Sequence, residues 1–246
     1  MALLTLDIDG TVLAVVMALA LIYLGTLTAP QGGYLGAFYL FVMLYFLTLS
    51  AIVTHLGERL KKSQKLYQET RGYRNVLANG LGPLIFAFLA YYLFTSYQAA
   101  FGQFSFIYLV GFLSSVAAVT ADKFSSEVGV LGKKPISIIT FRKIEKGKSG
   151  GITVLGTSAG ALGAFLIALI AGYGALTLFP SHSASLWPAA ASIIAITAGG
   201  FVGTVVDSIF GHWEEKGIGN KYTTNFICSI AGGAFGIAAY LALASI

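Results

Sequence analysis

Apolar residues in this chain run in blocks about as long as a helix needs to cross a bilayer, ~20 residues, and polar residues gather between them. Seven blocks are set off in this way, at residues 10–28, 34–55, 76–97, 104–121, 152–178, 187–211 and 222–245. They predict an all-α integral membrane protein of about seven transmembrane helices with large cytoplasmic loops, a single polytopic domain over residues 1–246. The breaks are of two alternating kinds. Residues 29–33, 98–103 and 179–186 contain no Asp, Glu, Lys or Arg, whereas residues 57–75, 122–151 and 212–221 together hold all 15 Lys and Arg. The positive-inside rule places that second set in the cytoplasm. It predicts multi-pass insertion in the cell membrane, with the amino terminus and charged loops inside and the carboxyl terminus outside.

Composition agrees with the pattern. Hydrophobic residues make up 57% of the chain and charged residues 10%, with a mean hydropathy of +0.81. A soluble domain carries roughly a quarter of its residues as charges, so a soluble enzyme, a free nucleic-acid binder and a disordered tail are excluded. Cys228 is the only cysteine, which rules out an intrachain disulfide and a cysteine zinc site. The first apolar run is preceded by no Lys or Arg and by Asp7 and Asp9, so it is expected to stay in the membrane and not to be cleaved as a signal peptide. Residues 57–75 and 122–151 are too long for turns. The first suits a helix lying at the headgroups with Leu60 and Tyr67 on its apolar side, or a lysine anchor on anionic lipid. Small-residue spacings such as Gly156 with Gly160, and Gly199, Gly200 and Gly203, predict close helix packing.

Acids inside or at the edge of a span are costly and by default mark a site. Asp122, Glu127 and Asp207 qualify, all near the charged end of their spans. Carboxylate oxygens without His or Cys partners suit magnesium, which joins one or two carboxylates to substrate phosphates. Asp122 and Glu127 stand about 140° apart on a regular helix, so they share an ion only where the helix ends, kinks or widens. Lys123 and Glu127, at i and i+4, can instead form an ion pair.

The following loop brings Lys133, Lys134, Arg142, Lys143, Lys146 and Lys148, the last followed by Ser149, Gly150 and Gly151. Backbone amides at a helix start beside a Lys form a phosphate cradle. This is not a Walker A loop, because its first glycine would fall on Arg142. The two basic residues Lys133 and Lys134 read more simply as orientation signals. Asn75 and Asn79 share one face at the start of the third span, after Arg71 and Arg74. Asn220 and Asn225 mark the start of the seventh. Such amides either bind ligand or join neighbouring helices. His55, His182 and His212 are too scattered for a metal site. The segment from Asp7 to Thr11 fits the DxDGT pattern of haloacid-dehalogenase phosphatases, but that chemistry needs a soluble α/β domain where this chain enters the membrane.

Five segments occur in an order that resembles the TMEM19/DUF92 family of membrane prenyl-phosphate kinases: RGYRNVLANG, ADKFSSEVG, KSGGITVLGTSAG, GFVGTVVDSIFG and NKYTTNF. The family includes phytyl-phosphate kinases and archaeal geranylgeranyl-phosphate kinase. Its patterns ADTxASEIG, GTSGGVS, GSxxDSLLG and NDxVNxxS are matched here by Asp122, Ser126, Glu127, Gly129, Ser149, Gly150, Gly151, Asp207, Ser208, Asn220 and Asn225. Lys123 and Lys148 stand where Thr is usual, and Lys221 where Asp is usual. The resemblance implies transfer of a phosphoryl group from CTP to an isoprenyl monophosphate, with Mg2+ as cofactor. In that reading Asp122, Glu127 and Asp207 bind one or two magnesium ions, and Lys148 and the Ser149 to Gly151 amides hold phosphoryl oxygens. Asn75, Asn79, Ser126, Ser208, Asn220 and Asn225 complete the substrate and nucleotide site. The prenyl tail is expected between the glycine-rich spans. Partners are then a nucleoside triphosphate, a prenyl-phosphate lipid and the membrane, with a homodimer compatible and no nucleic acid. A CDP-lipid-forming cytidylyltransferase and a non-enzymatic transporter are the alternatives.

Overall fold

The structure, a computed structural model, describes residues 6–28, 32–67, 71–96, 101–178 and 187–244. It is an all-α membrane protein. The long helices are α1 (Ile8–Thr28), α2 (Gly32–His55), α4 (Tyr73–Ser96), α5 (Phe101–Gly129), α6 (Val154–Leu178), α7 (Trp187–Glu214) and α8 (Lys221–Ala244), and a single short helix, α3 (Glu58–Ser63), lies between α2 and α4. Among the described residues, six of these helices are long and apolar enough to cross a membrane, and α6 adds a shorter apolar stretch, Val154–Ile170. Two short strands, β1 (Ile136–Ser137) and β2 (Gly151–Ile152), pair antiparallel and fold the loop after α5 back on itself.

Helix α5 is the hub, packing against α2, α4, α6, α7 and α8. Its buried side chains, from Phe106 through Val110, Phe112, Leu113 and Val116 to Ala121, form the centre of the core. The glycine spacings serve contact, as expected of small residues between apolar helices. A Cβ on Gly203 of α7 or on Gly232 of α8 would come within 2.5 Å of the Ala118 Cβ of α5.

The largest departure from the sequence expectation is at the end of α5. The span was expected to end at Ala121, but the helix continues to Gly129, so Asp122, Lys123 and Glu127 occupy its last two turns. Charges do not stop a helix whose side chains find partners, and Lys123 does pair with Glu127 one turn away. Of residues 57–75, which suited either a helix at the headgroups or a lysine anchor, the helix between α2 and α4 takes only the six residues of α3, and residues 68–70 lie outside the described residues.

The three charged segments meet at one end of the bundle. A Cβ on Gly57, whose φ is +68°, would strike the Leu131 side chain at 2.5 Å, and one on Gly147 would strike Leu66 at 2.6 Å. The segment before α1 joins them there. The backbone N–H of Asp7 donates to the Arg71 carbonyl at 3.1 Å, and Leu6 bridges to Arg71. The Asp7 carboxylate accepts from the Gly10 N–H at 2.7 Å, which makes it the N-cap of α1. The DxDGT segment is therefore a helix start that ties down Arg71.

Candidate functional site

A cleft of about 290 Å3, with charged and hydroxyl side chains in its wall, opens at the charged end. Asp122 of α5 and Asp207 of α7 both line it, close enough that each lies in the other's field. Oδ1 of Asp207 is buried with no donor, and so is Oγ1 of Thr204, one turn earlier on α7. Two neighbouring carboxylates repel unless a proton or cation comes between them. The pair therefore suits a hard divalent cation such as magnesium, which takes one or two protein carboxylates and completes its shell with water and phosphate oxygens. Lys221, at the first residue of α8, lines the same cleft within electrostatic reach of Asp207.

Ser149, Gly150 and Gly151 form another wall. Gly150 adopts φ +78°, and a Cβ there would come within 2.8 Å of the His212 backbone nitrogen and 2.9 Å of the Ser208 carbonyl oxygen. Only glycine lets the loop seat on α7 so closely. The Ser149 N–H donates to the Glu215 carboxylate at 2.8 Å, and its hydroxyl to Glu214 at 3.1 Å. Carboxylate oxygens thus meet Ser149, one of the three residues expected from sequence to hold phosphoryl oxygens. Glu215 is exposed and free to yield. Lys148 lines the cleft, half exposed, 3.3 Å from Glu145.

Glu127 is not brought to this pair. Among the described residues no three His, Cys, Asp or Glu side chains group to hold a metal, and Glu127 does not line the cleft. The unbroken helix separates it from Asp122, as the 140° spacing requires. Its carboxylate instead receives Lys61 at 2.7 Å, Arg71 at 3.0 Å and Lys123. Lys61 is 1% exposed and also donates to the Val53 and Thr54 carbonyls that end α2, at 3.2 and 2.7 Å. Burial pushes the Arg71 guanidinium below its ordinary pKa, and the fields of Glu127 and Asp122 oppose that shift. An arginine stays protonated regardless.

The remaining predicted residues divide. Asn225 lines the cleft and donates to Asn79 Oδ1 at 3.1 Å, so these two amides are joined to each other. Asn79 and Asn75 line a second, apolar cavity. Asn220 accepts from the Tyr222 and Thr223 N–H groups at 2.9 and 3.1 Å; it caps α8 and so positions Lys221. Ser126 and Ser208 line the cleft with their hydroxyls bonded back to Lys123 and Thr204 carbonyls of their own helices. Sequence reasoning passed over Lys61, Thr204, Glu214 and Glu215. Thr204 carried a usable signal, lying three residues before Asp207 on one helix face. Lys61 carried none, because it stands in a Lys pair like any topology anchor.

The chain matches, over residues 1–233, the profile of the family described as "Integral membrane protein DUF92". It is 38% identical over 240 residues to the uncharacterized membrane protein MJ0933 of Methanocaldococcus jannaschii, covering 97% of this chain and 87% of that one. To the chloroplastic protein VTE6 of Arabidopsis thaliana it is 31% identical over 151 residues, covering 60% of this chain and 43% of that protein. To the uncharacterized membrane protein sll0875 of Synechocystis it is 28% identical over 180 residues, covering 70% of this chain and 61% of that protein. No solved structure matches the chain.

Proposed function

Because this chain belongs to the DUF92 family of integral membrane proteins, we propose that it is a CTP-dependent isoprenyl-phosphate kinase working at the charged end of the bundle, in the cytoplasm. The observation that carries this reading is the cleft itself. A carboxylate pair with an orphaned oxygen faces Lys148, Lys221 and an anion-holding loop, an arrangement suited to a metal-bound polyphosphate. The resemblance of the motifs supplies CTP as donor and a prenyl monophosphate as acceptor.

Phosphoryl transfer asks the protein mainly to position its substrates and neutralise charge. A non-bridging oxygen of the acceptor phosphate attacks the γ-phosphorus of CTP, the bond from that phosphorus to the β,γ-bridging oxygen breaks, and CDP leaves with the electron pair. The acceptor is already an anion near neutrality, so no strong general base is required. Asp122 and Asp207 would hold magnesium, which supplies charge neutralisation at the phosphates. Lys148, Lys221 and the Ser149 to Gly151 amides bind phosphoryl oxygens, with Glu215 displaced to admit them. Asn225, which lines the cleft and donates to Asn79, would hold one of those oxygens with its remaining amide hydrogen. Glu127 stands outside this set and holds the cations around it.

Purified protein incubated with Mg2+, CTP and geranylgeranyl monophosphate tests the reading. Release of CDP with formation of the diphosphate is expected. Release of pyrophosphate would make the protein a cytidylyltransferase, and no nucleotide consumption would leave a transporter.

A further inference from the structure

A kinase of this kind also needs a compartment for a hydrocarbon tail, and the glycine-rich helices do not provide one. A Cβ on Gly199 would meet the Gly232 carbonyl oxygen at 2.6 Å, so α7 and α8 leave no space between them. Space of the right character lies on the other side of α5. A groove of about 400 Å3 runs along α1, bounded by α2 and α4. Its walls are apolar side chains such as Met17, Leu21, Met43 and Leu47, and its head carries Arg71 and Lys123. Two of its lining residues, Val15 and Leu19, are among the exposed apolar side chains of α1, so the groove opens sideways on the face a bilayer would cover.

Resting on the kinase reading above, we infer that this groove is the acceptor site, taking a single-chain isoprenyl monophosphate with its phosphate on Arg71 and Lys123 and its tail along α1. Four observations converge on it. Buried cations at the head of an apolar channel are costly without an anion, and the two that line this one, Arg71 and Lys123, share the one carboxylate of Glu127 with Lys61 behind them. Arg71 Nε and Ser50 Oγ are buried without a partner, and both residues line the groove. Arg71 and Lys123 both donate to Oε1 of Glu127, which shows that an anionic oxygen is accepted there, while Lys61 alone holds Oε2. When a phosphate takes over Arg71 and Lys123, Lys61 keeps Glu127 neutralised; Glu127 is thus a positioning residue. Finally, Asn79 of the groove and Asn225 of the cleft are joined by one hydrogen bond of 3.1 Å, which sets the two phosphates on either side of a single amide pair.

The test measures binding of radiolabelled geranylgeranyl monophosphate to the purified full-length protein without nucleotide, and steady-state kinetics on the same samples. Ala18 and Ala14 line the groove and are only partly buried. Ala18→Trp should weaken lipid binding at least tenfold and raise the KM for the lipid, with the KM for CTP unchanged. Ala14→Phe serves as the second wall-filling variant should the first fail to fold. Arg71→Gln should weaken binding similarly, and Arg71→Lys should restore part of it. Unchanged lipid binding in the wall variants and in Arg71→Gln overturns the groove. Equal competition by inorganic phosphate or by two-chain phosphatidic acid overturns the single-chain assignment. CDP formation with an unchanged KM for lipid in every variant overturns the groove and leaves the kinase standing. Binding that is lost in the variants while wild type forms no CDP overturns the kinase and keeps the groove as a lipid-phosphate site.

Discussion

Two carboxylates lining one cleft and one carboxylate among three cations respond to neutralisation in opposite ways. Asp207→Asn removes repulsion from Asp122, so the metal-free protein should unfold at a higher temperature while turnover falls by about 100-fold or more. Glu127→Gln strips the shared counter-charge from Lys61, Arg71 and Lys123. Breaking a buried ion pair typically costs about 3–5 kcal/mol, so this variant should unfold at a distinctly lower temperature. Thermal unfolding in detergent compares the two directly, and equal shifts would return Glu127 to the metal site. Lys148 is half exposed and paired with an exposed Glu145, as befits a mobile point charge and not an orienting group. Lys148→Thr should raise the KM for CTP more than it lowers kcat, because a contact made equally in ground and transition states affects binding alone. Lys148→Glu should be worse, and unchanged CTP kinetics in that variant would reduce the residue to a topology signal.

Among the elements, α1 and the loop before β2 have starts that can be tested singly. Asp7 caps α1 through a carboxylate oxygen that an amide also offers. Asp7→Asn should therefore keep near wild-type activity, whereas a phosphatase nucleophile would not tolerate it; Asp7→Ala should cost about 1 kcal/mol and loosen Arg71. Gly150→Ala combines a positive φ with a clash against α7 and should lower kcat/KM for CTP by unseating the Ser149 to Gly151 wall. The helices themselves were legible in the sequence to within a few residues, because each apolar block ends in polar residues or in glycine and proline. The end of α5 was not. A run holding Asp122, Lys123 and Glu127 looks like loop until the cations from two other segments are known to satisfy Glu127. The carboxylate pair could be expected from two acids at one depth. The cage around Glu127 could not, since it joins α3, the Arg71 segment and α5, and no local spacing connects them.

Across the whole molecule, all 15 Lys and Arg belong to the three charged segments, and the proposed chemistry requires those segments to face the cytoplasm. In a Cys228→Ser background, Gln98→Cys should react with an impermeant thiol reagent from outside intact cells and Lys65→Cys should not; the reverse pattern would remove both the orientation and a cytoplasmic cleft. The Asn79 and Asn225 bond has a consequence for the economy of the reaction. With Asn225 lining the donor cleft, Asn79 lining the acceptor groove and one hydrogen bond joining them, this amide pair would shield the terminal phosphoryl group of a bound nucleotide from water on the lipid side. Asn79→Ala opens this partition. Such a variant should leak: CTP should be hydrolysed to CDP and inorganic phosphate in the absence of lipid, at a rate that falls as the acceptor fills the gap. The hydrogen bond would then act as a stopper against futile turnover, released only when the phosphate of a membrane substrate arrives to take its place.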